Sequence, residues 1–408
     1  MKKYKRYLPY LLVALATVVI FIVVKAVQNA QFEKLLEVPE MEQGLLTEPQ
    51  NYEGRSWIVP ARYVFDTGLT EEELQPLNNP TFDSVATADT YLADTVVGIH
   101  IEANGEHRFY SNQILNWHEV VNDTFGGEDI AVTLSTLTRS GIVYSRNFNG
   151  QTLQFGNARL AYNNNSILKD DKTDNLWLQA KGVSISGEDM GETLKVIPST
   201  TLTWSKFKEL YPDGQALSNE TGYNRDYARH PYTSYDNTDL VYFPLTGEPD
   251  GIDAKWIITA VHEGDESIAF SHEIENGFVA TNEEVGGKSI VSLWNGDEQL
   301  VRVFDRTVDG ETLTFSFSFE NGRITDEETG STWNADGLAI SGELSGTQLE
   351  VVQSTQFFFF AWNLLWPNQT IANVGSADDA VESVEEEEER QPLSDLSDIE
   401  ANIETDTE

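Results

Sequence analysis

The sequence predicts a mainly β protein, a β-rich α+β fold built as two tandemly duplicated β domains after one N-terminal transmembrane helix. Three observations predict it. Short runs rich in β-branched and aromatic residues alternate with Asn-Gly, Gly-Gly and Asp-Gly pairs, which is the pattern of hairpins. A segment that starts at Val143 recurs in the same register from Val303. An uncharged apolar run stands near the N-terminus behind a basic flank.

Composition bounds the function. The chain has 408 residues, 40% hydrophobic and 11% aromatic, enough to bury cores in more than one domain. Acidic residues number 67 against 26 basic, a net charge of -41. Nucleic acid needs a basic footprint, so it is excluded as a partner, and the folded part is not expected to dock on anionic lipid. The absence of cysteine removes disulfides, thiolate metal sites, iron–sulfur clusters and a Cys nucleophile.

Residues 1–30 read as a cytoplasmic stub and anchor. The apolar run from Leu8 to Val24, extended past Lys25 to Val27, is long enough for a helix to cross the hydrocarbon. Lys2, Lys3, Lys5 and Arg6 precede it, so the positive-inside rule leaves the N-terminus in the cytoplasm and the bulk outside, periplasmic or at the cell surface. A cleaved signal peptide is the rival, but the run is long for one and no clean A-x-A site follows. Residues 31–78 read as a juxtamembrane linker, with a short polar helix from Gln31 to Leu46 broken at Pro39.

Two like domains follow, over 79–235 and 236–376. Val143–Phe155 aligns with Val303–Phe315, and the same offset pairs Ser111 with Ser271, Asn122 with Asn282 and Gly127 with Gly287. After a small deletion, Ile185-Ser-Gly187 pairs with Ile340-Ser-Gly342 and Pro212 with Pro367. Copies this long are domains rather than the units of a solenoid. Within the first, Val96–Ile101, His107–Tyr110, Ile130–Leu134 and Ile142–Arg146 are strands, punctuated at Asn104-Gly105, Gly126-Gly127 and Asn149-Gly150. Gly286-Gly287 and Asp309-Gly310 mark the matching turns of the second. Thr203 caps a helix over Trp204–Tyr211, stopped by Pro212-Asp213-Gly214. Its counterpart, Phe357–Trp366, is too short to span a bilayer and reads as a buried helix or strand that packs the domains together. The tail, 377–408, holds consecutive acids at Glu385–Glu389 and reads as disordered, either solubilising or a cation- or partner-binding segment.

One segment concentrates polar chemistry. Asn116-Trp-His-Glu-Val-Val-Asn-Asp123 carries a histidine, two carboxylates and two amides. On a helix Glu119 would share a face with Asp123, and His118 with Asn122. His118 is a candidate metal ligand, with Asp123, or a general base. Phe278 stands at the matching place in the second copy, which points to a site confined to the first. The turn Ser135–Gly141 adds hydroxyls at Ser135 and Thr138, either ordinary turn groups or a nucleophile served by His118. The candidate pocket is thus Asn116, His118, Glu119, Asn122, Asp123, Ser135 and Thr138. The remaining histidines form no H-E-x-x-H and no close pair. The acidic loops at Asp170–Asp174 and Asp326–Gly330 lack EF-hand spacing and read as solvated turns. No nucleotide, haem or iron–sulfur motif is present, and a divalent metal stays open as a cofactor. Sequons stand at Asn122, Asn164, Asn219 and Asn368.

Asn116–Asp123, Phe155-Gly156, Tyr162-Asn163, Asn175-Leu-Trp-Leu-Gln179 and Asp236–Pro244 resemble the bacterial and archaeal domain-of-unknown-function family 3179. The resemblance runs from about Asn79 to Pro367 and brings no activity with it. It does imply a Cys-Pro-Leu-Cys element where this chain has Ser135-Thr136-Leu137-Thr138. A C-x-x-C beside a histidine would suit thiol redox or soft-metal chemistry, and here both thiols are replaced by hydroxyls.

The acid excess has two accounts. Surface carboxylates suit a salty exterior, where salt screens their repulsion. Alternatively they load the surface with a particular divalent cation. The function expected from the residues is a non-catalytic binding or interaction module, membrane-anchored and extracytoplasmic, whose partner is an envelope protein or a small ligand. The alternative is a metal-dependent or redox-related enzyme with its site around His118.

Overall fold

The computed structural model describes residues 44–372, apart from 233–234, 250–252, 265, 273–277, 297, 299, 319–321 and 367. The anchor expected over Leu8–Val27, the polar helix up to residue 43 and the acidic tail lie outside the described residues. No helix among the described residues is long and apolar enough to cross a membrane. The fold is mainly β.

The first half is built on a hairpin. A one-turn helix, α1 (Val85–Ala88), capped by Ser84, leads into it. Val97–Ala103 and Glu106–Ser111 then pair antiparallel, with Gly98 opposite Ser111 and Ala103 opposite Glu106. Between them Asn104 and Gly105 take φ of 54° and 77°. Both central residues are left-handed, which gives the primed turn whose twist matches the strands. Helix α2 (Asn112–His118) follows. Val120–Phe125, Glu128–Ser135 and Ser140–Ser145 form the next antiparallel sheet. Phe155–Tyr162, Asn165–Asp170, Leu176–Leu178 and Val183–Ser186 form the third. Thr200–Thr203 returns to the edge of the first hairpin, beside Val97–His100. It runs into α3 (Trp204–Leu210), where the Thr203 hydroxyl accepts from the Lys206 amide at 3.2 Å.

Residues 257–371 take the same pairing order. Ile257–Glu263 and Glu266–Ser271 make the hairpin. Phe278–Val285, Lys288–Asn295 and Leu300–Asp305 make the three-stranded sheet, and the strands from Phe315–Ser318 to Ala339–Ser341 make the next. Thr355–Phe358 returns to the hairpin edge and runs into α4 (Phe359–Leu365). The segment expected as buried helix or strand is therefore both, in that order. Its burial is complete, because its apolar side chains point every way round the helix.

Individual hydrogen bonds of the first half have counterparts in the second. The Asn122 amide accepts from Phe155 N at 2.9 Å and donates to Phe155 O at 2.7 Å, and Asn282 makes both bonds to Phe315 at the same lengths. Each asparagine thus continues a ladder where no strand neighbour is available. Asp170 receives the Trp177 indole N–H at 3.0 Å and the Thr173 amide at 2.6 Å, while Asp326 receives those of Trp333 and Thr329 at 2.8 and 2.6 Å. The acidic loops spend a carboxylate on closing a turn over a buried tryptophan.

One boundary differs from expectation. Residues 50–78, read as linker, are part of the first half. Val64–Asp66 pairs with the Phe155–Tyr162 strand, and Leu77–Asn78 runs parallel to Val120–Phe125. These pieces are two or three residues long, too short for a periodic signal. They hold their place because a sheet edge offers unpaired N–H and C=O groups.

The two halves meet reciprocally. Ser140–Ser145 of the first lies against Thr355–Phe358 of the second, and Leu300–Asp305 of the second against Thr200–Thr203 of the first. Between these contacts Gln353 Oε1 accepts from Ser199 N at 2.5 Å. On one flank Leu137, Tyr235, Phe358, Phe360 and Ala361 form an apolar cluster. On the other, Lys206 reaches Glu298 at 2.8 Å and Asp336 at 3.6 Å, and Arg302 holds Asp336 at 2.5 Å.

The paired asparagines give a prediction. Asn122 is buried, so Asn122→Ala strands the Phe155 N–H and C=O and is expected to cost about 2–4 kcal/mol. Asn282 is half-buried and water can replace part of its bonding, so Asn282→Ala is expected to cost less. Urea unfolding of both variants checks the order.

Candidate functional site

The polar segment of the first half is split by a change of structure. Helix α2 ends at His118, Glu119 takes a left-handed φ of 57°, and Val120 starts a strand. The helical pairing expected for Glu119 with Asp123 and His118 with Asn122 is therefore not made. The β-branched Val120-Val121 pair suits the sheet better than a further helical turn. Along the strand Asn122 and Asp123 point to opposite faces.

His118, Asp123 and Asn122 each find a partner. One ring nitrogen of His118 lies 2.7 Å from the Gln75 carbonyl, so Nδ1 carries the proton, and Nε2 accepts from the Tyr227 hydroxyl at 2.7 Å. Both nitrogens are spent, and burial holds the ring down to about 4, so it is neutral near pH 7. Asp123 Oδ2 accepts from Arg108 Nη1 and from the Tyr110 hydroxyl, each at 2.6 Å, on the opposite face. Asn122 spends its amide on Phe155 and Asn78. Thus His118 and Asp123 do not converge on one cation, and among the described residues no group of three metal-ligating side chains does so.

Glu119 is the exception in its electrostatics. Its Oε2 accepts from Asn157 Nδ2 at 2.5 Å and from the Ser166 hydroxyl at 2.7 Å. Burial still pushes the carboxyl up to about 7, against those hydrogen bonds. Ser135 joins this group, accepting from Ser166 N at 3.0 Å with its oxygen 3.2 Å from Ser166 Oγ. Thr138 belongs to a second knot. Its hydroxyl lies 2.9 Å from Ser140 Oγ, and Asn165 Nδ2 reaches Thr138, Ser140 and Gln179 at 3.0–3.1 Å. So Glu119 and Ser135 are brought together, Thr138 sits beside them on the same turn, and His118, Asn122 and Asp123 each serve a separate contact. The sequons at Asn122 and Asn164 are buried and hydrogen-bonded, which closes them to a glycan in the folded chain.

The open space lies elsewhere. A cleft of about 1020 Å³ runs between the halves. Its walls are Thr203 and Ser205 from the first half, Trp294 and Glu298 from the second, and the connecting segment around Asp253–Trp256. Earlier in the connection between the halves, Phe243 and Thr246 are held by the Asn163-Asn164 turn, left-handed at both residues, whose amides bond Thr246 and Phe243 in both directions. Five carboxylates face the cleft (Asp94, Asp236, Asp239, Asp253 and Glu298) against Arg139 and Lys255. Lys255 donates to Tyr235 O at 2.6 Å with its ammonium 3.1 Å from the centre of the Tyr235 ring. Burial holds this lysine down to about 8. His272 accepts or donates at 2.7 Å to Thr259 Oγ1, and burial with the Arg139 charge keeps it neutral, at about 3.

Of the candidates read from the sequence, Asn116 alone faces this region, in a side pocket off the cleft. Arg139, Lys255, Trp256 and His272 carry no local motif and meet only through the packing of the halves. One pairing was within reach of the sequence. The Asn104-Gly105 turn sets Glu102 opposite His107, which brings His100 Nε2 to 3.1 Å from His107 Nδ1, a close histidine pair the spacing alone did not suggest.

Titration of these groups has a signed consequence. His100, His118, His262 and His272 are held by burial at about 3, 4, 3 and 3. Each stays neutral in the folded chain and charges in the unfolded one, so stability falls as pH drops from 6.5 toward 4. Glu119 acts in the other sense: its contribution is complete below 4.5 and lost as pH rises through 7. Between 4.5 and 7 the folded chain holds this proton and the unfolded chain does not, so Glu119→Gln is expected to remove a fall of up to about 1.4 kcal/mol per pH unit across that window, where it opposes the histidine effect, and to leave the slope above pH 8 unchanged. Urea titrations at a series of pH values check both effects.

A family model described as Protein of unknown function (DUF3179) matches residues 73–369, a stretch that takes in both halves and the cleft between them. No curated protein and no solved structure matches the chain.

Proposed function

The chain belongs to the DUF3179 family of proteins of unknown function, and from that premise we propose that it is a non-catalytic binding module that takes a small polar ligand in the cleft between its halves. One observation carries the reading: the largest cavity among those described is walled by both halves and by the segment that joins them, whereas the polar candidates of the first half spend their hydrogen bonds on the fold. A cavity of this size matches those that hold small molecules. Its mixed charges and its tryptophans suit a ligand with polar ends. The pairing order and side-chain bonds common to the two halves support an origin by duplication, which makes the seam between copies the natural place for a site. The sequence from Lys2 to Val27 supports attachment to the bilayer, with the cleft on the extracytoplasmic side, where an envelope protein is a further possible partner.

A rival reading keeps an enzyme in the first half, metal-dependent or redox-related. Glu119 favours it, since a carboxyl held near 7 beside two hydroxyls has the titration of a general acid or base. A stoichiometric metal in the purified protein that is lost in His118→Ala would support that reading over the binding module.

The binding reading is tested on the full chain in detergent. Thermal melting against a panel of small polar metabolites is expected to show a saturable rise in Tm, with affinity at least tenfold weaker in Trp256→Ala. A panel without a single saturable shift would sink it. The anchor is tested separately: the chain is expected to stay with membranes through alkaline carbonate, and a chain lacking residues 1–30 to be released.

A further inference from the structure

A side pocket of about 250 Å³ opens off the cleft, sharing Thr95, Val97, Arg139 and Asp236 with it. Its inner wall comes from helix α2, with Asn112 and Asn116, and from Thr136 in the turn after the Glu128–Ser135 strand. Two polar atoms of these lining residues are withdrawn from water without a hydrogen-bond partner: Asn112 Oδ1 and Thr136 Oγ1. Thr136 is only 4% exposed. Its hydroxyl lies near enough to the Glu119 carboxyl to favour the charged form, but not in hydrogen-bond geometry with any described protein atom. A buried acceptor and a buried hydroxyl left unpaired are costly, and a ligand that bonds both removes the cost.

Arg139 stands at the mouth shared by pocket and cleft. Its Nε donates to Gln356 Oε1 at 3.3 Å and its Nη1 lies 3.8 Å from Asp236 Oδ2. Both contacts are long, and a guanidinium carries five donors, so it has N–H groups to offer a carboxylate side-on. The surroundings limit the choice of ligand. Asp236 lines the same pocket and four further carboxylates line the cleft beyond it, so a plain anion is repelled. Asn112 Oδ1 can only accept, and asks for a donor.

We propose that this side pocket holds the α-amino carboxylate end of a small zwitterion, the carboxylate on Arg139 and the ammonium donating to Asn112 Oδ1, Thr136 Oγ1 and Asp236. The proposal deepens the cleft-binding reading and rests on it. The rest of such a molecule extends into the larger cleft.

The test is calorimetric titration of the full chain in detergent with L-alanine, L-lactate, propionate and propylamine. L-alanine is expected to bind saturably, and the other three, each lacking one charge or the ammonium, at least tenfold more weakly. Arg139→Lys, which keeps the charge and loses the fork, is expected to weaken L-alanine at least tenfold. Thr136→Val, close in shape to the threonine, is expected to weaken it severalfold without a comparable loss in Tm. Equal binding of L-lactate overturns the ammonium assignment and with it the proposal, as does L-alanine binding untouched by Arg139→Lys and Thr136→Val. If L-alanine does not bind while another metabolite does and is weakened by Trp256→Ala, the zwitterion inference falls and the cleft reading stands. If nothing binds, both fall.

Discussion

The reciprocal packing of the two halves is the constraint on which the rest of the structure depends. Late in each half a strand returns to its own first hairpin, and each of those strands lies against the third strand of the other half's middle sheet. The contact is therefore made twice. On one flank it is sealed by apolar burial around Leu137 and Phe358, on the other by Lys206 between Glu298 and Asp336. Burial of aromatic area there supplies the larger share of the energy, because a partly exposed ion pair gains little net of its desolvation. Neither half closes the cleft alone.

The same packing explains why the turn at Ser135–Thr138 is so polar and yet so dry. Leu137 points into the apolar seam and is covered by Tyr235, whose hydroxyl donates to the Leu137 carbonyl at 2.9 Å. Ser135 and Thr138, on either side, must then face inward, where only hydrogen-bonded polar groups are tolerated. They are satisfied through Ser166, Ser140, Asn165 and Gln179. A buried network of this kind is strong only when complete; the Ser135 and Thr138 hydroxyls are held within it, and Thr136 Oγ1 alone of the turn's hydroxyls is left without a partner. Glu119 belongs to the same ring of groups. Its left-handed backbone and raised carboxyl pKa are two costs in one residue, borne by a position that must both end α2 and start a strand.

Charge has two separate roles. Across the surface the acid excess acts in bulk, through repulsion that salt screens. Inside the cleft a few carboxylates face Arg139 and Lys255, whose positions are fixed by neighbours: Gln356 for the first, Tyr235 for the second. Low-dielectric walls make these few charges count for more than the many outside. The segment that joins the halves carries Lys255 and Trp256, and the Asn163-Asn164 turn clamps it as a strand would. Two stretches far apart in the chain, Asn163-Asn164 and Phe243–Thr246, thereby meet.

What the sequence by itself determined is local. Hairpins are legible at Asn104-Gly105 and Asp309-Gly310 because the turn type demands those residues. Helix α3 is legible in its Thr203 cap, and the two-part design in the identities shared between Val143–Phe155 and Val303–Phe315. The short edge strands within residues 50–78 were hidden, since two paired residues leave no period to read. The Asn116–Asp123 segment shows the same limit. Its residue types suggested one pocket, but a backbone change at Glu119, where the Val120-Val121 pair joins the partner strand, sent them to different faces. Only the tertiary structure decided that Asn112, Thr136 and Arg139 share a pocket and that Lys255 and His272 face one cleft. Asn112 on helix α2 and the turn that carries Thr136 and Arg139 are brought together by the sheet between them, and Arg139 meets Lys255 and His272 only when the two halves pack; local propensity carries no information about either contact, because each is made by elements that do not adjoin in the chain.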